Sequence, residues 1–370
     1  MKILELTNYT AGGCGVGSRV LKESKLLALR GHHVKVFSSN IIKGSNKICS
    51  SREVLENIEI TRFAAKKLGG ESYMTWKFEK EAIDFNPDVI ISHSYRHLHT
   101  HSALKLAKKI GCKVFLVAHA PFDRKSSRTL LQNLVVSLYD SLLGKSKLKK
   151  FTKVIAISRW EIPYLLNLGL TKNKIVYIPN GIEEEFFRKK ANSKEKKEII
   201  YMGRISPIKN IEELILAIPI MKSSFKLKIV GPAEENYLAY LKSIIKNEKL
   251  EDRVEIIDKI YNREEQIRFL DSAEIFVLPS LSEGMPQTLI EAMARSKIVI
   301  GKLNKGNLDI IINDKNGFLF SNSKELAKII EDIEVMKPID KNKIKKSALK
   351  KAGEFKWKNI IDNLESVLSK

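Results

Sequence analysis

Short runs of β-branched and apolar residues alternate along the chain with longer segments in which apolar positions recur every three or four residues. In the N-terminal half, the predicted strands are Lys2–Thr7, Val34–Ser38, Asp88–Ser92, Lys113–Ala118 and Val154–Ser158. In the C-terminal half they are Glu198–Met202, Lys226–Val230, Val254–Ile257, Glu274–Ser280, Lys297–Gly301 and Gly317–Phe320. Strands that alternate with helices in this way are typical of parallel sheets. The pattern predicts an α/β protein with two successive doubly wound sheets.

The two predicted sheets are separated by residues 177–197, where IPNGI is followed by the charged KKANSKEKKE. Such a composition is typical of a linker or a surface loop. We place the domain boundary near Asn180, which gives domains of residues 1–180 and 181–350. The tail 351–370 is predicted to form a helix that packs back towards the N-terminal domain, because helical spacing relates Trp357, Ile360, Ile361, Leu364 and Leu368.

The composition narrows the class of protein. With 44% hydrophobic residues among 370, the chain is not a disordered one. Its three cysteines form no C-x-x-C pair, which argues against a disulfide framework or a zinc ribbon and favours a reducing cytoplasm. Glu5 interrupts the first apolar run, unlike a secretory leader, and no apolar run approaches the ~18 residues of a spanning helix. We expect a cytoplasmic protein.

A glycine-rich loop follows the first predicted strand. Glycines there allow backbone amides to approach a phosphate closely, and the loop contains Gly12, Gly13, Gly15 and Gly17. The spacing G-x-G-x-G and a second strand that ends in Ser38 rather than an acid disfavour a dinucleotide site. The alternative is a turn whose glycines serve only tight packing.

Paired carboxylates characterise the segment SEGMPQTLIEAMA. Glu283 stands in the loop after strand Glu274–Ser280, and Pro286 begins the helix that carries Glu291. Since helical side chains lean towards the N-terminus, both carboxylates can face one ligand. The alternative is that Glu291 lies on a solvated helix face near the positive helix terminus.

Two cations follow the first strand of the same predicted domain, in GRISPIKN. Arg204 offers a planar fork and Lys209 a compact charge, a pair suited to a diphosphate leaving group. Asn210 with Glu213 predicts a capping box that fixes the start of the next helix. The alternative for both cations is surface charge in a lysine-rich chain.

Together these residues resemble the family 4 glycosyltransferases, retaining enzymes of the GT-B fold. The resemblance covers nearly the whole chain and rests on the glycine loop with GHHVKVF, VAHAP, AISRWE, IPNGI, GRISPIK, LPSLSEGMPQTLIEAMA, NDKNGFLF and the terminal Phe355 and Trp357. It implies two Rossmann-like domains that face each other across a cleft. The activity it implies is transfer of a hexosyl group from a nucleotide-diphosphate sugar to a sugar or lipid-linked acceptor.

The resemblance also implies roles for single residues. Arg204 and Lys209 would bind the phosphates, Glu291 the ribose and Glu283 the hydroxyls of the donor sugar, assisted by the backbone amides of Gly284 and Met285. His119 matches the family's histidine, which contacts the transferring sugar and is not a general base. A lone histidine in such a loop is more often a satisfied loop residue. Ser296 and Ile298 stand where the family pattern has Gly and Pro, and Asp258 where a Gly often precedes the donor loop.

No metal or other cofactor is expected. The chain contains no D-x-D, so the cations at 204 and 209 would take the role of a divalent ion on the diphosphate. The histidines at 93, 97, 99 and 101 have metal-like spacing but no accompanying cysteine or acid, and a polar acceptor surface explains them better.

The net charge of +22 is unevenly distributed. Basic residues Arg124, Lys125 and Arg128 precede an apolar helical face of Leu131, Leu134, Val135, Leu138 and Leu142, and Lys145, Lys147, Lys149 and Lys150 follow it. This pattern resembles an interfacial helix, so an anionic membrane surface is the expected partner and a membrane-presented acceptor the hypothesis. The alternative is that the face packs onto the first domain's core. Nucleic acid is not expected, because stacking aromatics do not accompany the basic residues.

Three rival functions remain from the sequence. Another GT-B enzyme, such as a sugar-nucleotide epimerase, lacks the Glu-x7-Glu context, and a phosphorylase would need a lysine-bound pyridoxal site that we do not find. The third rival is a non-catalytic nucleotide-sugar-binding subunit. Transfer or hydrolysis of nucleotide sugars distinguishes this subunit from an enzyme.

Overall fold

The computed structural model describes residues 1–45, 47–69, 73–122, 129–188, 196–259 and 261–370, and leaves aside the side chains of residues 130 and 131. The chain forms two compact units. One contains the residues up to Asn180 together with Lys358–Lys370, and the other contains Gly181–Trp357. Each unit is built on its own sheet.

The first unit contains an eight-stranded sheet in the order β10-β9-β8-β7-β1-β2-β4-β3. Its strands are β1 Lys2–Leu6, β2 His33–Ser39, β3 Arg52–Leu55, β4 Ile58–Phe63, β7 Val89–His93, β8 Lys113–Val117, β9 Lys153–Ala156 and β10 Ile175–Tyr177. All neighbours are parallel except β3 and β4, and β5 Ala65–Lys67 pairs with β6 Met74–Trp76 in a separate antiparallel hairpin. The sheet is buried because helices cover both faces of such doubly wound units.

The helices of this unit follow the strands along the chain. They are α1 Gly15–Leu29, α2 Glu79–Phe85, α3 Leu98–Ile110, α4 Leu130–Tyr139, α5 Lys145–Leu148 and α6 Glu161–Asn167. A π-helical turn, Asp140–Gly144, joins α4 to α5. Thr129 and Gln132 form a capping box that starts α4.

The second unit contains a six-stranded, fully parallel sheet in the order β13-β12-β11-β14-β15-β16. Its strands are β11 Lys196–Met202, β12 Lys226–Val230, β13 Val254–Ile257, β14 Ala273–Leu278, β15 Ile298–Lys302 and β16 Phe318–Phe320. Its helices are α7 Ile211–Ala217, α8 Glu235–Asn247, α9 Arg263–Ser272, α10 Gln287–Ala294, α11 Lys305–Ile310, α12 Ser323–Val335 and α13 Pro338–Gly353. The α/β class and the two doubly wound sheets are therefore confirmed.

The C-terminal helix α14 spans Trp357–Ser369, so it begins six residues later than the predicted tail segment. Its apolar positions are buried, and Glu365 accepts hydrogen bonds from Arg30 at 2.7 Å and pairs with His32 at 2.8 Å in the first unit. Trp357 packs against Gly181 in the second unit, where a Cβ on Gly181 would lie 2.2 Å from the indole ring.

The apolar face near residue 138 is exposed. Among its described side chains, Leu134, Val135, Leu138, Leu142 and Leu143 are between 46% and 72% exposed. Arg124, Lys125, Arg128 and the Leu131 side chain lie outside the described residues. The alternative that this face packs onto the core is therefore wrong for the part that the structure describes. No helix within the described ranges is long and apolar enough to span a bilayer.

Candidate functional site

The second sheet reverses its strand order between β11 and β14, which are hydrogen-bonded neighbours although β12 and β13 lie between them in sequence. In open parallel sheets, ligands bind beyond the carboxyl ends of the strands at such a switch point. The loop after β11 carries Arg204 and Lys209, and the loop after β14 carries Glu283. A backbone hydrogen bond of 3.0 Å from Leu281 N to Ile208 O joins the two loops.

Lys209 and Glu283 form an ion pair across these loops. Lys209 Nζ lies 2.7 Å from Glu283 Oε1, and the two side chains are only 21% and 11% exposed. The lysine ends a 3₁₀ turn, Pro207–Lys209, and the following Asn210 adopts a left-handed conformation with a φ of 52°. The structure thus brings together a cation and a carboxylate that lie 74 residues apart.

Arg204, in the same loop as Lys209, has a different partner. It is 63% exposed, and its Nη1 lies 3.8 Å from Glu234 Oε1. The Tyr201 hydroxyl donates a 2.7 Å hydrogen bond to the Arg204 carbonyl. Burial raises the pKa of Tyr201 well above its usual range, the charge of Glu283 raises it further, and that of Arg204 lowers it. The Tyr201 hydroxyl is therefore affected by charged side chains from both loops, the one after β11 and the one after β14.

Glu291 is buried on α10. It accepts hydrogen bonds from Gln266 Nε2 at 2.6 Å and from Arg263 Nη1 at 3.3 Å, both on α9. Burial raises its pKa to about 7, against the lowering effect of Arg263 and Gln266. The alternative of a solvated helix face is wrong, because the side chain is enclosed. Within the described ranges no hydrogen bond joins Glu291 to Glu283, so the two carboxylates have separate partners.

The loop that carries Glu283 is supported by the start of α11. The Asn304 side chain donates a 2.7 Å hydrogen bond to the Ser280 carbonyl. A Cβ on Gly306 would lie 2.5 Å from Glu283 O, so only glycine fits against this loop. Gly284 and Met285, the predicted amide donors, lie in the same loop, with Met285 buried.

The predicted capping box at Asn210 and Glu213 is wrong. Asn210 adopts the left-handed conformation and makes no side-chain cap, and its amide instead donates to the Glu213 carboxylate. The buried Ile211 amide at the helix start donates to the Tyr237 hydroxyl at 2.8 Å. Glu213 binds Lys302 Nζ at 2.6 Å. The left-handed φ turns the Asn210 side chain away from the amides that a cap would satisfy.

The glycines of the loop in the first unit differ in how closely other atoms approach them. A Cβ on Gly12 would lie 2.7 Å from Lys43 O and one on Gly17 2.5 Å from Tyr9 O, so these two glycines serve close packing. At Gly13 and Gly15 a Cβ would meet nothing within 4 Å. The phosphate interpretation therefore stays a prediction, and these two glycines are the positions that leave room for a ligand.

His119 lies just beyond β8, in a strained turn. His119 and Ala120 both have left-handed backbones, with φ of 61° and 52°. The Ala120 amide donates to Glu161 Oε2 at 2.8 Å, and the other oxygen of this buried carboxylate accepts from Ile157 N and Ser158 N. Strain of this kind persists where the surroundings fix the backbone, and it concentrates at functional sites. His119 lines a cavity of about 160 Å³ together with Asn8, Cys14 and His97.

The neighbouring histidines have separate partners. His97 pairs with the Asn8 amide at 2.8 Å, His99 with the His93 carbonyl at 2.8 Å and His101 with the Tyr139 hydroxyl at 2.8 Å. Burial lowers the pKa of His97 and of His101 to about 4, so both are neutral. The four histidines whose spacing in the sequence resembles a metal site therefore do not share a common centre in the described structure.

Sequence reasoning missed the residues that hold the predicted ones in place. These are Arg263 and Gln266 around Glu291, and Tyr201 beside Arg204. In the first unit they are Glu5 and Glu23, which lie beside the buried His93, the partner of His119. Only Glu5 gave a signal, a charged residue within an apolar strand. The others resemble ordinary surface or core residues until the fold brings them together.

Two family models match adjacent parts of the chain. Residues 13–186 match Glycosyltransferase Family 4, and residues 182–351 match Glycosyl transferases group 1. Together they cover both units. The chain therefore belongs to the family 4, or group 1, glycosyltransferases, a family of transferase enzymes.

Curated relatives of this chain include glycosyltransferases named for capsular polysaccharide biosynthesis. The chain is 31% identical to the capsular polysaccharide biosynthesis glycosyltransferase CapH of Staphylococcus aureus, over 43% of this chain and 45% of CapH. It is 26% identical to CapM of the same organism, over 74% of this chain and 77% of CapM. A Campylobacter jejuni relative, N,N'-diacetylbacillosaminyl-diphospho-undecaprenol alpha-1,3-N-acetylgalactosaminyltransferase, is 25% identical over 63% of this chain and 61% of its own length. The match thus spans less than half of CapH and about three quarters of CapM.

Solved structures share the fold along the whole chain. Sucrose-phosphate synthase from Thermosynechococcus elongatus has a TM-score of 0.80 and 18% identity, covering 100% of this chain and 98% of its own. Anabaena Alr3699/HepE in complex with UDP and glucose has a TM-score of 0.75 and 18% identity, covering 100% and 99%. These likenesses confirm the GT-B fold.

Proposed function

We propose that this protein transfers a hexosyl group from a nucleotide-diphosphate sugar to a sugar or lipid-linked acceptor with retention of anomeric configuration. The observation that carries the proposal is the Lys209–Glu283 pair at the switch point of the second sheet. Such a pair suits a sugar diphosphate, because an ammonium group can bind phosphate oxygens and a carboxylate can accept hydrogen bonds from sugar hydroxyls. The Anabaena structure contains UDP and glucose, which supports a nucleotide sugar as the donor.

The second unit holds the donor. Arg204 and Lys209 bind the diphosphate oxygens, while Glu283 and the amides of Gly284 and Met285 bind the sugar. Glu291 accepts hydrogen bonds from the ribose hydroxyls, and its enclosure by Arg263 and Gln266 fixes its orientation. The glycine loop with Gly12, Gly13 and Gly15 and the side chain of His119 contribute from the first unit.

Catalysis relies on positive charge that is in place before the reaction. As the bond from the anomeric carbon to the diphosphate breaks, negative charge grows on the leaving oxygens and an oxocarbenium-like centre forms. Lys209 is already oriented by Glu283, so it stabilises that charge without reorganising. In a water-excluded site such a contact is worth more than in water. Retention follows from attack of the acceptor on the face that the diphosphate leaves.

The diphosphate is neutralised without a divalent ion. Arg204 and Lys209 take the place that a metal held by paired aspartates would have. No D-x-D is present in the sequence to hold such an ion.

The acceptor is presented at an anionic membrane surface on the cytoplasmic side. The exposed face formed by Leu134, Val135, Leu138, Leu142 and Leu143 is followed by Lys145, Lys149 and Lys150, which are also exposed. Apolar side chains beside lysines match the acyl boundary and headgroups of anionic lipid, each basic residue contributing about 1 kcal/mol. The diphospho-undecaprenol in the name of the Campylobacter relative supports a lipid-linked acceptor.

Vesicle binding tests this surface. Wild-type protein should co-sediment with phosphatidylglycerol-containing liposomes at low salt, and Leu138→Asn should weaken binding about tenfold because an inserted leucine is lost. Val335→Asn is the matched control, since Val335 is 83% exposed on α12 in the other unit. Absence of wild-type binding, or equal loss in both variants, contradicts membrane presentation.

A panel of UDP-, GDP- and ADP-sugars tests the enzyme itself. A donor at 100 times its dissociation constant stabilises the fold by about 2.7 kcal/mol, so the correct donor raises Tm. With that donor, Arg204→Ala should lower turnover by about a hundredfold, equivalent to ~3 kcal/mol. A Tm rise with no transfer or hydrolysis for any sugar identifies a non-catalytic binder and overturns the proposal.

A further inference from the structure

A buried chain of polar side chains leads from the centre of the first sheet to His119. Glu5 on β1 pairs with His93 on the neighbouring β7, with Glu5 Oε2 lying 2.7 Å from His93 Nε2. His93 Nδ1 in turn lies 2.9 Å from His119 Nε2. Glu5 and His93 are fully buried, whereas His119 borders the cavity. The chain therefore connects a buried carboxyl to a histidine that faces ligand space.

A second carboxylate accompanies Glu5. Glu23 on α1 binds Arg19, with Arg19 Nε lying 3.1 Å from Glu23 Oε2. Oxygens of Glu5 and Glu23 and a ring nitrogen of His93 all lie within 4.8 Å of one another. Arg19 is the cation nearest to this group, and it also donates to the Asn180 side chain at 2.9 Å. One positive charge thus faces two buried carboxyl groups.

Two buried oxygens in this group have no donor. Glu5 Oε1 and Glu23 Oε1 are both enclosed, and neither accepts a hydrogen bond from any donor in the described structure. A single proton between the two carboxyl groups satisfies both oxygens, because the protonated one then donates to the other. It also leaves one carboxylate to match the one guanidinium, so the cluster is neutral. Burial raises the pKa of Glu5 to about 8 and that of Glu23 to about 7, in agreement with a shared proton.

The position of that proton decides the tautomer of both histidines. If the proton lies between Glu5 Oε1 and Glu23, on either residue, Glu5 Oε2 is an acceptor, and His93 must carry its hydrogen on Nε2. His93 Nδ1 is then an acceptor, so His119 must carry its hydrogen on Nε2. The remaining ring nitrogen of His119, Nδ1, has no hydrogen and accepts a hydrogen bond. The opposite tautomers would need the Glu5 proton on Oε2, which leaves both Glu5 Oε1 and Glu23 Oε1 without a donor.

We propose that Glu5, through His93, is a positioning residue that fixes His119 as the Nε2–H tautomer, so that His119 Nδ1 accepts a hydrogen bond from a substrate hydroxyl. The chemical class of the bound group, a sugar hydroxyl, rests on the proposed function, but the tautomer does not. His119 acts here as a fixed neutral acceptor and not as a proton donor to the leaving group.

The groups around Glu5 and His119 keep both histidine rings neutral. The titratable and charged groups that face Glu5 are Glu23 and Arg19 of α1 and His93 of β7, and those that face His119 are His93, Arg19 and His97. Burial lowers the pKa of His93 to about 3 and that of His119 well below its usual range. Both rings are therefore neutral throughout the physiological range.

Nitrogen NMR of histidine-labelled protein tests the tautomer without any donor or acceptor. His119→Asn assigns the resonance. We expect a protonated Nε2 and an unprotonated Nδ1 on His119 from pH 6 to pH 8. Glu5→Gln should keep this tautomer, because its amide donates to Glu23 while its carbonyl accepts from His93. Glu5→Met should leave a mixture of tautomers, because His93 loses its acceptor.

Glu291→Gln is the matched control, since it replaces another buried carboxyl with a raised pKa in the other unit and should leave the His119 tautomer unchanged. Should Glu5→Met fail to fold, wild type and Glu5→Gln still decide the matter. Hydrogen on Nδ1 of His119 in the wild type, or a tautomer change in Glu5→Gln, overturns the proposal. Because no sugar is used, a missing transferase activity leaves this result intact.

Discussion

Lys209 and Glu283 illustrate how a single ion pair prepares a charged site. With both side chains largely out of water, the pair is stronger than an exposed one and holds the ammonium group in a fixed place. In the proposed function, this ammonium group binds the diphosphate, so it would already lie beside the growing negative charge and no loop would need to move to bring it there. Removal of the lysine leaves a carboxylate that repels the anionic donor.

Lys209→Met should therefore reduce kcat/KM for the nucleotide sugar by about a hundredfold or more, equivalent to ~3 kcal/mol. Steady-state kinetics with the donor found in the panel measures this. Lys302→Met is the matched control, because Lys302 is a similarly buried lysine of the same unit that pairs with Glu213 at 2.6 Å. Equal losses in the two variants would show that the effect at 209 is only structural.

The proposed ribose role of Glu291 predicts that donor binding depends on pH. Its pKa of about 7 in the folded protein is above the ordinary 4.5, so the folded state holds a proton that the unfolded state releases, and its contribution to stability falls as pH rises from 4.5 to 7. Ribose hydroxyls donate best to the ionised form. Nucleotide affinity, measured by calorimetry, should therefore rise between pH 6 and pH 8, and Glu291→Gln should flatten that rise. A wild-type affinity that falls with pH would contradict the ribose role.

At the scale of elements, glycines allow the loops of the second unit to meet. Gly231 after β12 has a φ of 148°, and a Cβ there would lie 1.9 Å from Gly203 O after β11. Gly306 at the start of α11 approaches the backbone of Glu283 in the same way. These close approaches set where the strand-end loops lie, and so they set where the charged side chains point.

Gly306→Ala should displace the Glu283 loop, because its Cβ would lie 2.5 Å from Glu283 O. We expect weaker donor binding, seen as a smaller Tm rise with the nucleotide sugar, and a loss of stability of about 1–3 kcal/mol. Gly353→Ala is the control, since a Cβ there meets nothing within 4 Å and the helix α13 gains propensity. Unchanged donor binding in Gly306→Ala would show that the loop tolerates the shift.

At the scale of the whole molecule, two doubly wound sheets are each organised around a switch point. In the first unit β1 lies beside β7, which places the glycine loop and the Glu5–His93 pair at one position of the sheet. In the second unit β11 lies beside β14, which places Lys209 beside Glu283. The same topological rule therefore locates the chemistry of both units.

Metal independence is a prediction about the whole enzyme. Because Arg204 and Lys209 are expected to neutralise the diphosphate, turnover with the identified donor should persist in excess EDTA. Steady-state assays with EDTA, and with magnesium or manganese added back, measure this. Complete loss on chelation that either metal restores would contradict the prediction.

The fold could be predicted from the sequence where strands are buried on both faces, since continuous β-branched runs mark them. Strands β3, β4, β5, β6 and β10 were not predicted. β3, β5, β6 and β10 are short or lie at exposed edges where the apolar pattern is weak, and β4 alternates buried with exposed or half-buried positions instead of forming a continuous apolar run. The capping box at Asn210 was wrong because the backbone conformation, which the sequence does not reveal, turned its side chain away.

The sequence by itself determined the α/β class, the two sheets, the family and the charged residues in the strand-end loops, because apolar periodicity and motif spacing are local properties. Only the tertiary structure decided which charges meet. Glu283 pairs with Lys209, Glu291 with Arg263 and Gln266, and Glu5 with Glu23 and His93, although many residues separate them. Such pairings depend on strand order and burial, because the folded chain places these carboxyl groups beside their partners and removes water from around them.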